Sequence, residues 1–474
     1  MKFFNDRGFW SNTMRLALPI ALQNLLVSSY ALVDTLMVGQ LGDVALSAVG
    51  MAGQWNWLMN LFIFGVCSGS AVFFAQFWGS RDREGIHKTF GVGFSATVLI
   101  ALLFFLVGAL FPERVIRLFN RDPAVVEAGV SYLRIAAFSY LAAALNTLFC
   151  TLLRSTEEVR LPVFVSLITT VLNTFLDYAL ILGKFGLPRM GVEGAALATC
   201  ISAWSGPVLL LICSAVRRNM LIVSPKDMFG FTGQDVRRFF QKAVPVIFNE
   251  GMWGLGTVLF QIIYANLGYE YYAAVTILRT FENIAFVFFV GLCDACSVMV
   301  GKSIGSGRIR RGVTDARRFT LLLPAVSVVL GWVIILCRRQ LIGIFNLGGT
   351  ITETTLQTAM TLLLIYGIHI GVRNVGYVQV VGIFRSGGET VKGVVYDLIA
   401  LWGVSLPVTF LCAYVWKLPF PAVYWIMYLC EDWPKAILCL RYFRTLRWIK
   451  PVTREGVLGL EEYKTQPHKF FETE

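Results

Sequence analysis

Leu18-Pro19-Ile20 reappears 226 residues further along this chain as Val244-Pro245-Val246. Three glycines keep the same register: Gly42, Gly65 and Gly79 recur as Gly268, Gly291 and Gly305. After an insertion of five residues, Leu153-Arg154-Ser155 recurs as Phe384-Arg385-Ser386. A period of this length is too long for a solenoid unit. It predicts two similar halves, each of about 220 residues.

The composition is that of a membrane protein. Apolar residues make up 56% of the chain and charged residues 15%, whereas soluble domains carry about 25% charged residues. The mean hydropathy is +0.67. Apolar stretches long enough to cross a bilayer occur twelve times: 15–38, 46–78, 90–111, 125–152, 162–183, 194–216, 243–266, 273–304, 319–337, 357–383, 394–415 and 421–442. We therefore predict an all-α integral membrane protein with twelve transmembrane helices in two six-helix bundles.

The distribution of Lys and Arg residues predicts which loops lie on the cytoplasmic side of the membrane. If the N-terminus is cytoplasmic, 29 of the 41 Lys and Arg residues fall inside, 8 outside and the others within or at the ends of spans. This bias predicts that both termini lie in the cytoplasm. The predicted organisation is an N-terminal lobe (1–216), a cytoplasmic linker (217–242), a C-terminal lobe (243–449) and a cytoplasmic tail (450–474) that is disordered at its end. Two related halves in a membrane chain favour a transporter with its substrate path between them.

Several function classes are disfavoured. The net charge of +12 is dispersed over loops facing anionic lipid headgroups, which argues against nucleic acid as a partner. No phosphate-binding Gly-x-x-x-x-Gly-Lys-Ser/Thr motif is present, so we expect no bound nucleotide and an ion gradient as the energy source. Three dispersed histidines argue against a membrane-embedded enzyme, and we expect no cofactor. Cys293 and Cys296 are interpreted as packing residues rather than a metal or redox pair.

Ionisable residues inside spans are the candidates for function, since each costs about 2.5–3.5 kcal/mol at a helix centre. Asp34 lies in the first span, and Asn173 and Asp177 are four residues apart in the fifth, on one helix face. Carboxylate and amide oxygens suit Na⁺, and a carboxylate can instead carry a titrating proton. The alternative is that these groups are satisfied polar contacts between helices.

The second half carries different charges. Glu250, Arg373 and Asn374 are candidates for a substrate or coupling role there, while the roles of Asp294 and His369 stay open. Spacing predicts structural ion pairs of Glu282 with Arg279 and of Glu431 with Lys435. Aromatic residues are clustered on two spans and suit amphipathic organic cations through burial and cation–π contact: Trp55, Trp57, Phe62 and Phe64 on the second, and Phe281, Phe286, Phe288 and Phe289 on the eighth.

The stretch Val33-Asp34-Thr35-Leu36-Met37-Val38-Gly39-Gln40-Leu41-Gly42 resembles the first-helix signature of multidrug and toxic compound extrusion (MATE) transporters. Asn173-x-x-x-Asp177-Tyr178, the run from Gly194 to Thr199 and the closing run from Arg441 to Trp448 agree with that family over about residues 10–450. The resemblance implies two six-helix lobes related by a pseudo-twofold axis. It also implies efflux of organic compounds from a prokaryotic cell across the plasma membrane in exchange for Na⁺ or H⁺.

The resemblance also implies site residues. Asp34, Asn173 and Asp177, with Thr199 as a fourth ligand, correspond to the family's N-terminal-lobe cation site. Glu250 matches a glutamate of one branch, but Asn374 stands where that branch has an aspartate, so we expect coupling in the first half. The alternative function is a lipid-linked oligosaccharide flippase of the same superfamily, for which Arg279 and Arg373 are the few candidate pyrophosphate ligands. Along the repeat, Asp34 falls opposite Phe260 and Glu250 opposite Asn24, so the scaffold repeats and the charges do not.

Overall fold

The computed structural model describes residues 6–120, 122–345 and 352–465, and in these ranges the regular structure is entirely helical. The first half contains α1 (Arg7–Gly39), α2 (Asp43–Ser80), α3 (Arg83–Leu110), α4 (Pro112–Arg117), α5 (Pro123–Ala136), α6 (Ser139–Ser155), α7 (Arg160–Leu182) and α8 (Gly191–Arg217). The linker helix α9 (Pro225–Met228) follows. The second half contains α10 (Gly233–Leu267), α11 (Tyr269–Gly305), α12 (Ile309–Phe345), α13 (Glu353–Tyr377), α14 (Val391–Leu398), α15 (Leu406–Phe410), α16 (Phe420–Arg444) and α17 (Arg454–Thr465).

The spans follow the hydropathy pattern. Ten helices in the described ranges are long and apolar enough to cross a bilayer, and α5 with α6 forms an eleventh span bent by 52°. Two of the ten are helices that include π-helical turns: α13 runs on to Phe384, and α14 with α15 forms one span over Val391–Val415. The twelfth predicted span is the 25-residue α16, whose apolar character is reduced by Glu431, Asp432 and Lys435. The twelve-helix prediction is confirmed.

The chain divides into two compact units. One unit, here called unit N, comprises Leu22–Phe74 and Asp82–Ile247. The other, unit C, comprises the described parts of Met1–Ala21, Ala75–Arg81 and Phe248–Glu474. The cores of both are built from Leu, Ile, Val, Phe and Ala side chains. The core of unit C also contains a ladder of buried tyrosines, Tyr264, Tyr366, Tyr424 and Tyr428. The lobe and linker boundaries taken from the sequence stay a prediction.

The repeated glycines are explained by close backbone approaches. A Cβ built on Gly79 of α2 would lie 2.1 Å from the carbonyl oxygen of Lys302 on α11, and one built on Gly305 would lie 2.0 Å from that of Gln76. Both distances are far below van der Waals contact, so only glycine fits. Lys302 lies 226 residues after Gln76, and Gly305 lies the same distance after Gly79. The two approaches are therefore one contact made twice, which is the physical reason for this part of the repeat.

The start of the tail packs onto unit C. Lys450 Nζ lies 2.5 Å from Glu389 Oε2, and the Lys450 amide donates to the Gly387 carbonyl at 2.7 Å. The Val452 amide donates to Gln76 Oε1 at 2.8 Å, and the Thr453 hydroxyl donates to the Gly305 carbonyl at 2.7 Å. We call Trp448–Thr453 the tail strap. The predicted disordered end of the tail, 466–474, lies outside the described residues.

Candidate functional site

Four helices of unit N bring a polar cluster together. Helix α1 carries Tyr30 and Asp34 one turn apart, and α7 carries Asn173 and Asp177 one turn apart. Helix α8 contributes Thr199 and Ser202, and α5 contributes Tyr132. Residues three or four apart lie on one helix face, so each pair points in one direction.

The cluster is buried and its polar atoms are unsatisfied. Asn173 and Asp177 are completely buried. Six buried atoms have no hydrogen-bond partner among the described residues: Asp34 Oδ1, both side-chain atoms of Asn173, both carboxylate oxygens of Asp177 and the Thr199 hydroxyl. Buried polar groups are hydrogen-bonded in the great majority of proteins, and an exception needs an explanation. A set of orphans gathered from three helices indicates a binding site.

The two carboxylates are close enough to interact electrostatically, and in the described part of the chain neither forms an ion pair with Lys, Arg or His. An uncompensated negative charge costs several kcal/mol when it is buried, as at Asp177, and less at the partly buried Asp34. A bound proton or small monovalent cation offsets one of the two charges and so lowers this cost. The donor set consists of oxygens from two carboxylates, an amide and a hydroxyl, which fits a hard cation such as Na⁺ as well as a proton.

The structure therefore brings together all four residues expected to bind the coupling cation. It adds two phenols, because Tyr30 and Tyr132 both interact electrostatically with Asp34. The sequence offered a signal for Tyr30, which lies one turn before Asp34 on the same helix. It offered none for Tyr132, since the packing of α5 against α8 is a tertiary contact.

The three candidates of the second half are not brought together. Arg385 Nη2 lies 2.7 Å from Glu250 Oε1, and both side chains are largely buried. Asn374 donates to the Ile370 carbonyl of its own helix at 3.0 Å. Arg373 contacts Glu282 and Tyr428 instead. The structure shows three separate local contacts in place of one site.

Two ion pairs predicted from helical spacing are wrong. Glu282 pairs with Arg373 of α13 at 3.3 Å rather than with Arg279 of its own helix. Lys435 pairs with Asp397 of α14 at 2.5 Å rather than with Glu431, and Asn249 donates to the same carboxylate at 3.0 Å. Inside a helix bundle a partner on a neighbouring helix can satisfy a charge that spacing along one helix would assign locally.

The repeated Arg-Ser pair has a role that sequence reasoning missed. In unit N, Arg154 donates through Nε and Nη2 to Gln23 Oε1 at 3.0 and 2.7 Å. In unit C the equivalent Arg385 pairs with Glu250. Both acceptors follow the repeated proline by four or five residues on α1 and α10. The recurrence of the Arg-Ser pair in both halves was the signal for this role that the sequence contained. In each half the arginine binds a side chain on the first helix of that half.

The predicted aromatic residues differ in exposure. Trp57, Phe62 and Phe64 of α2 are 40–45% exposed, and Phe286 and Phe288 of α11 are 47% and 48% exposed. Phe289 is buried, and the Trp55 indole donates to the Phe104 carbonyl at 3.2 Å. Phe289 and Trp55 therefore pack within the helix bundle.

The chain is similar to known transporters along nearly its whole length. It is 26% identical over 452 residues to a probable multidrug resistance protein, NorM, of Thermotoga maritima, covering 94% of this chain and 95% of the relative. It is also 26% identical to the probable multidrug resistance protein YoeA of Bacillus subtilis, covering 94% and 96%. Among solved structures, the MATE transporter VcmN of Vibrio cholerae in its bent form matches with a TM-score of 0.81 at 18% identity, covering 94% and 99%. This last likeness shows the fold.

The family model MatE matches the chain twice, over residues 19–179 and 245–411. Both matches begin at the repeated proline, Pro19 and Pro245, so the two halves found in the sequence are each a copy of one family unit. Since these matches span well over half of its residues, the chain belongs to the MatE family of multidrug and toxic compound extrusion transporters.

Proposed function

We propose that this protein is a secondary antiporter that exports organic compounds in exchange for Na⁺ or H⁺ bound by Asp34, Asn173, Asp177 and Thr199. The family is one of transporters and not of enzymes. The printed names of the relatives, multidrug resistance proteins, support a broad range of small organic substrates. The observation that carries the coupling role is the set of buried, unpartnered oxygens between α1, α7 and α8.

The cluster supplies a mechanism for coupling. Without a bound cation, Asp34 and Asp177 repel each other and favour an arrangement in which α1 is separated from α7. A bound cation offsets one of the two negative charges, weakens the repulsion and favours the closed arrangement, so its affinity differs between the two states, which any coupled transporter requires. One charge moving through about 100 mV supplies about 2.3 kcal/mol. For a neutral or zwitterionic substrate exchanged one for one, that energy supports a substrate gradient of about fifty-fold. One-for-one exchange of a monovalent cationic substrate moves no net charge and is driven by the concentration gradient of the ion.

Exposed aromatic side chains support the substrate class, and the relatives and the loop charges support the location. Exposed aromatic side chains on α2 and α11 offer apolar and cation–π contacts to amphipathic cations. The bacterial relatives and the excess of basic residues in the predicted inner loops support a protein of a prokaryotic cytoplasmic membrane with both termini in the cytoplasm. The partners are then the substrate and the bilayer, with no nucleotide or nucleic acid.

The test replaces each carboxylate by its isosteric amide. Asp34→Asn and Asp177→Asn should abolish ethidium efflux from proteoliposomes, because a neutral amide removes the charge that changes with cation binding. Asp43→Asn, at an exposed site in the same unit, is the matched control and should transport at the wild-type rate. Efflux that survives either cluster substitution, in protein that elutes as a folded species, would refute the assigned site.

The coupling ion is resolved by separate gradients. Proteoliposomes with an imposed Na⁺ gradient and no pH difference are compared with the reverse condition, using ethidium in both. Sodium coupling predicts transport in the first case and proton coupling in the second. Efflux that is driven by neither gradient would refute the antiport proposal.

A further inference from the structure

Arg373 in the second half is unusual among the membrane-embedded charges because it is both anchored and exposed. Its Nη1 lies 3.3 Å from Glu282 Oε1 and donates to the Tyr428 hydroxyl at 3.3 Å. Its guanidinium lies 5.7 Å from the centre of the Tyr428 ring. Even so, 40% of the Arg373 side chain is exposed.

The ion pair leaves hydrogen-bonding capacity unused on both partners. A guanidinium has five N–H donors arranged as a planar fork, and only Nη1 of Arg373 has a partner among the described residues. Glu282 Oε1 accepts from both Arg373 and the Tyr428 hydroxyl, the latter at 2.7 Å. Glu282 Oε2 has no partner in the same ranges. The contact is therefore end-on, with an open guanidinium edge on one side and an open carboxylate oxygen on the other.

The exposed part of Arg373 must face water or a ligand. Its position is in the middle of α13, a span of 32 residues when its π-helical extension is included. A charged group at that depth facing hydrocarbon is strongly unfavourable, so such residues face the bundle interior or an aqueous cavity. The exposed part of the Arg373 side chain therefore borders an aqueous or ligand-filled space.

Aromatic side chains and the imidazole of His369 lie beside the Arg373–Glu282 ion pair. The His369 ring lies one turn before Arg373 and stacks on Tyr428, with ring centres 5.5 Å apart and planes inclined by 17°. Trp425 meets the same histidine edge-on at 4.9 Å. His369 is 2% exposed, yet neither ring nitrogen has a hydrogen-bond partner among the described residues. Arg373 and His369 thus flank one tyrosine ring.

We propose that this group of residues, the Arg373 cluster (Glu282, His369, Arg373, Trp425 and Tyr428), recognises zwitterionic amphiphiles. A carboxylate on the substrate binds the open fork of Arg373, as arginine binds carboxylates elsewhere. The cationic group of the substrate lies toward Glu282 Oε2, and its apolar body lies against Trp425 and Tyr428. The inference deepens the proposed export function and rests on it.

Charge balance favours a zwitterion over a simple ion. Glu282 and Arg373 offset each other's charge, and the buried Asp432 of α16 also interacts electrostatically with Arg373. A simple anion approaching the fork is repelled by these acidic neighbours, and a simple cation approaching Glu282 is repelled by Arg373. A molecule with both charges meets an attractive partner at each end. In a purely structural ion pair buried away from water, the other guanidinium N–H groups and the second carboxylate oxygen would also have partners, because unpaired charged atoms are costly there.

Two dyes that differ by one methyl ester test this. Rhodamine 110 carries a cationic xanthene and a free carboxylate, and rhodamine 123 is its methyl ester and only a cation. Efflux of each is measured in proteoliposomes, and binding to the purified protein is measured by fluorescence polarisation. Arg373→Gln should lower the ratio of rhodamine 110 to rhodamine 123 affinity by about tenfold to a hundredfold, since one charge-assisted contact is lost.

Control variants separate the outcomes. Arg373→Lys keeps the charge without the planar fork and should give an intermediate ratio. It decides the question if Arg373→Gln fails to fold. Arg339→Gln, at an exposed arginine of the same unit, should keep the wild-type ratio. An unchanged dye ratio in folded Arg373→Gln or Arg373→Lys protein would overturn the proposal. Asp34→Asn, by contrast, should stop efflux of both dyes, so failure of the coupling site is distinguishable from failure of the Arg373 cluster.

Discussion

Substitution of Gly79 by alanine tests the explanation of the repeat. The new Cβ would lie 2.1 Å from the carbonyl oxygen of Lys302 and 2.9 Å from its carbonyl carbon. Ordinary contact begins at about 3.4 Å, so the α2 and α11 backbones would have to separate by more than about 1 Å. The Lys302 carbonyl cannot turn away, because it accepts the Ser306 amide at 3.1 Å within its own helix.

The expected change in the free energy of unfolding of Gly79→Ala is the difference between two opposing effects. Overpacking against a rigid partner costs about 1–3 kcal/mol, and a backbone neighbour places Gly79→Ala at the upper end of that range. Replacement of glycine by alanine inside a helix gains up to about 1 kcal/mol. We expect a net loss of about 2 kcal/mol in the free energy of unfolding. Gly305→Ala, which places a Cβ 2.0 Å from the Gln76 carbonyl oxygen, should behave alike.

Gly53→Ala is the matched control. Gly53 lies on the same helix, and its added Cβ would meet nothing within 4 Å, so this variant should be as stable as wild type or more so. The free energy of unfolding is measured in mixed micelles titrated with dodecyl sulfate and followed by circular dichroism, with the melting temperature as a second readout. If Gly79→Ala is as stable as Gly53→Ala within about 0.5 kcal/mol, the close-approach explanation is refuted.

Two further predictions concern charges of unit C. Burial alone would raise the pKa of Glu389, but hydrogen bonds from Lys450, the Lys392 amide and the Tyr442 hydroxyl outweigh burial and hold the pKa below its usual value of 4.5. The stabilisation by this carboxylate is therefore complete above pH 4.5 and is lost as the pH falls through the lower pKa of the folded state. Glu389→Gln should reduce the loss of melting temperature at acidic pH, measured between pH 3 and 7 (about the range where the carboxyl titrates), and an unchanged acid loss in the variant would contradict the prediction. Arg385→Met should lower the free energy of unfolding by about 3–5 kcal/mol, because it leaves Glu250 buried and unpaired; adding Glu250→Gln should recover much of the loss, and a double variant no more stable than Arg385→Met would show that the pair is not the cause.

How far the candidate site could be predicted depends on the range of the interactions. Asp34, Asn173 and Asp177 were recognisable because a charge or amide in an apolar span is costly wherever it lies, and that cost is a property of the local sequence. The charge partners in the second half were not. Glu282 pairs with Arg373 on α13, which lies 91 residues away along the chain, and spacing along one helix carries no information on such a partner.

The sequence by itself determined the class of the protein, its twelve spans and its two halves. Hydropathy, helix length and the repeated Pro and Gly positions are local quantities, and the bilayer converts them directly into spanning helices. Only the tertiary structure decided which polar groups are satisfied. It showed that Tyr30 and Tyr132 join the Asp34 cluster, that Glu250 is held by Arg385 and that Arg373 keeps an open edge. Hydrogen-bond partnership depends on how helices pack in three dimensions, and packing brings together residues that the sequence keeps far apart.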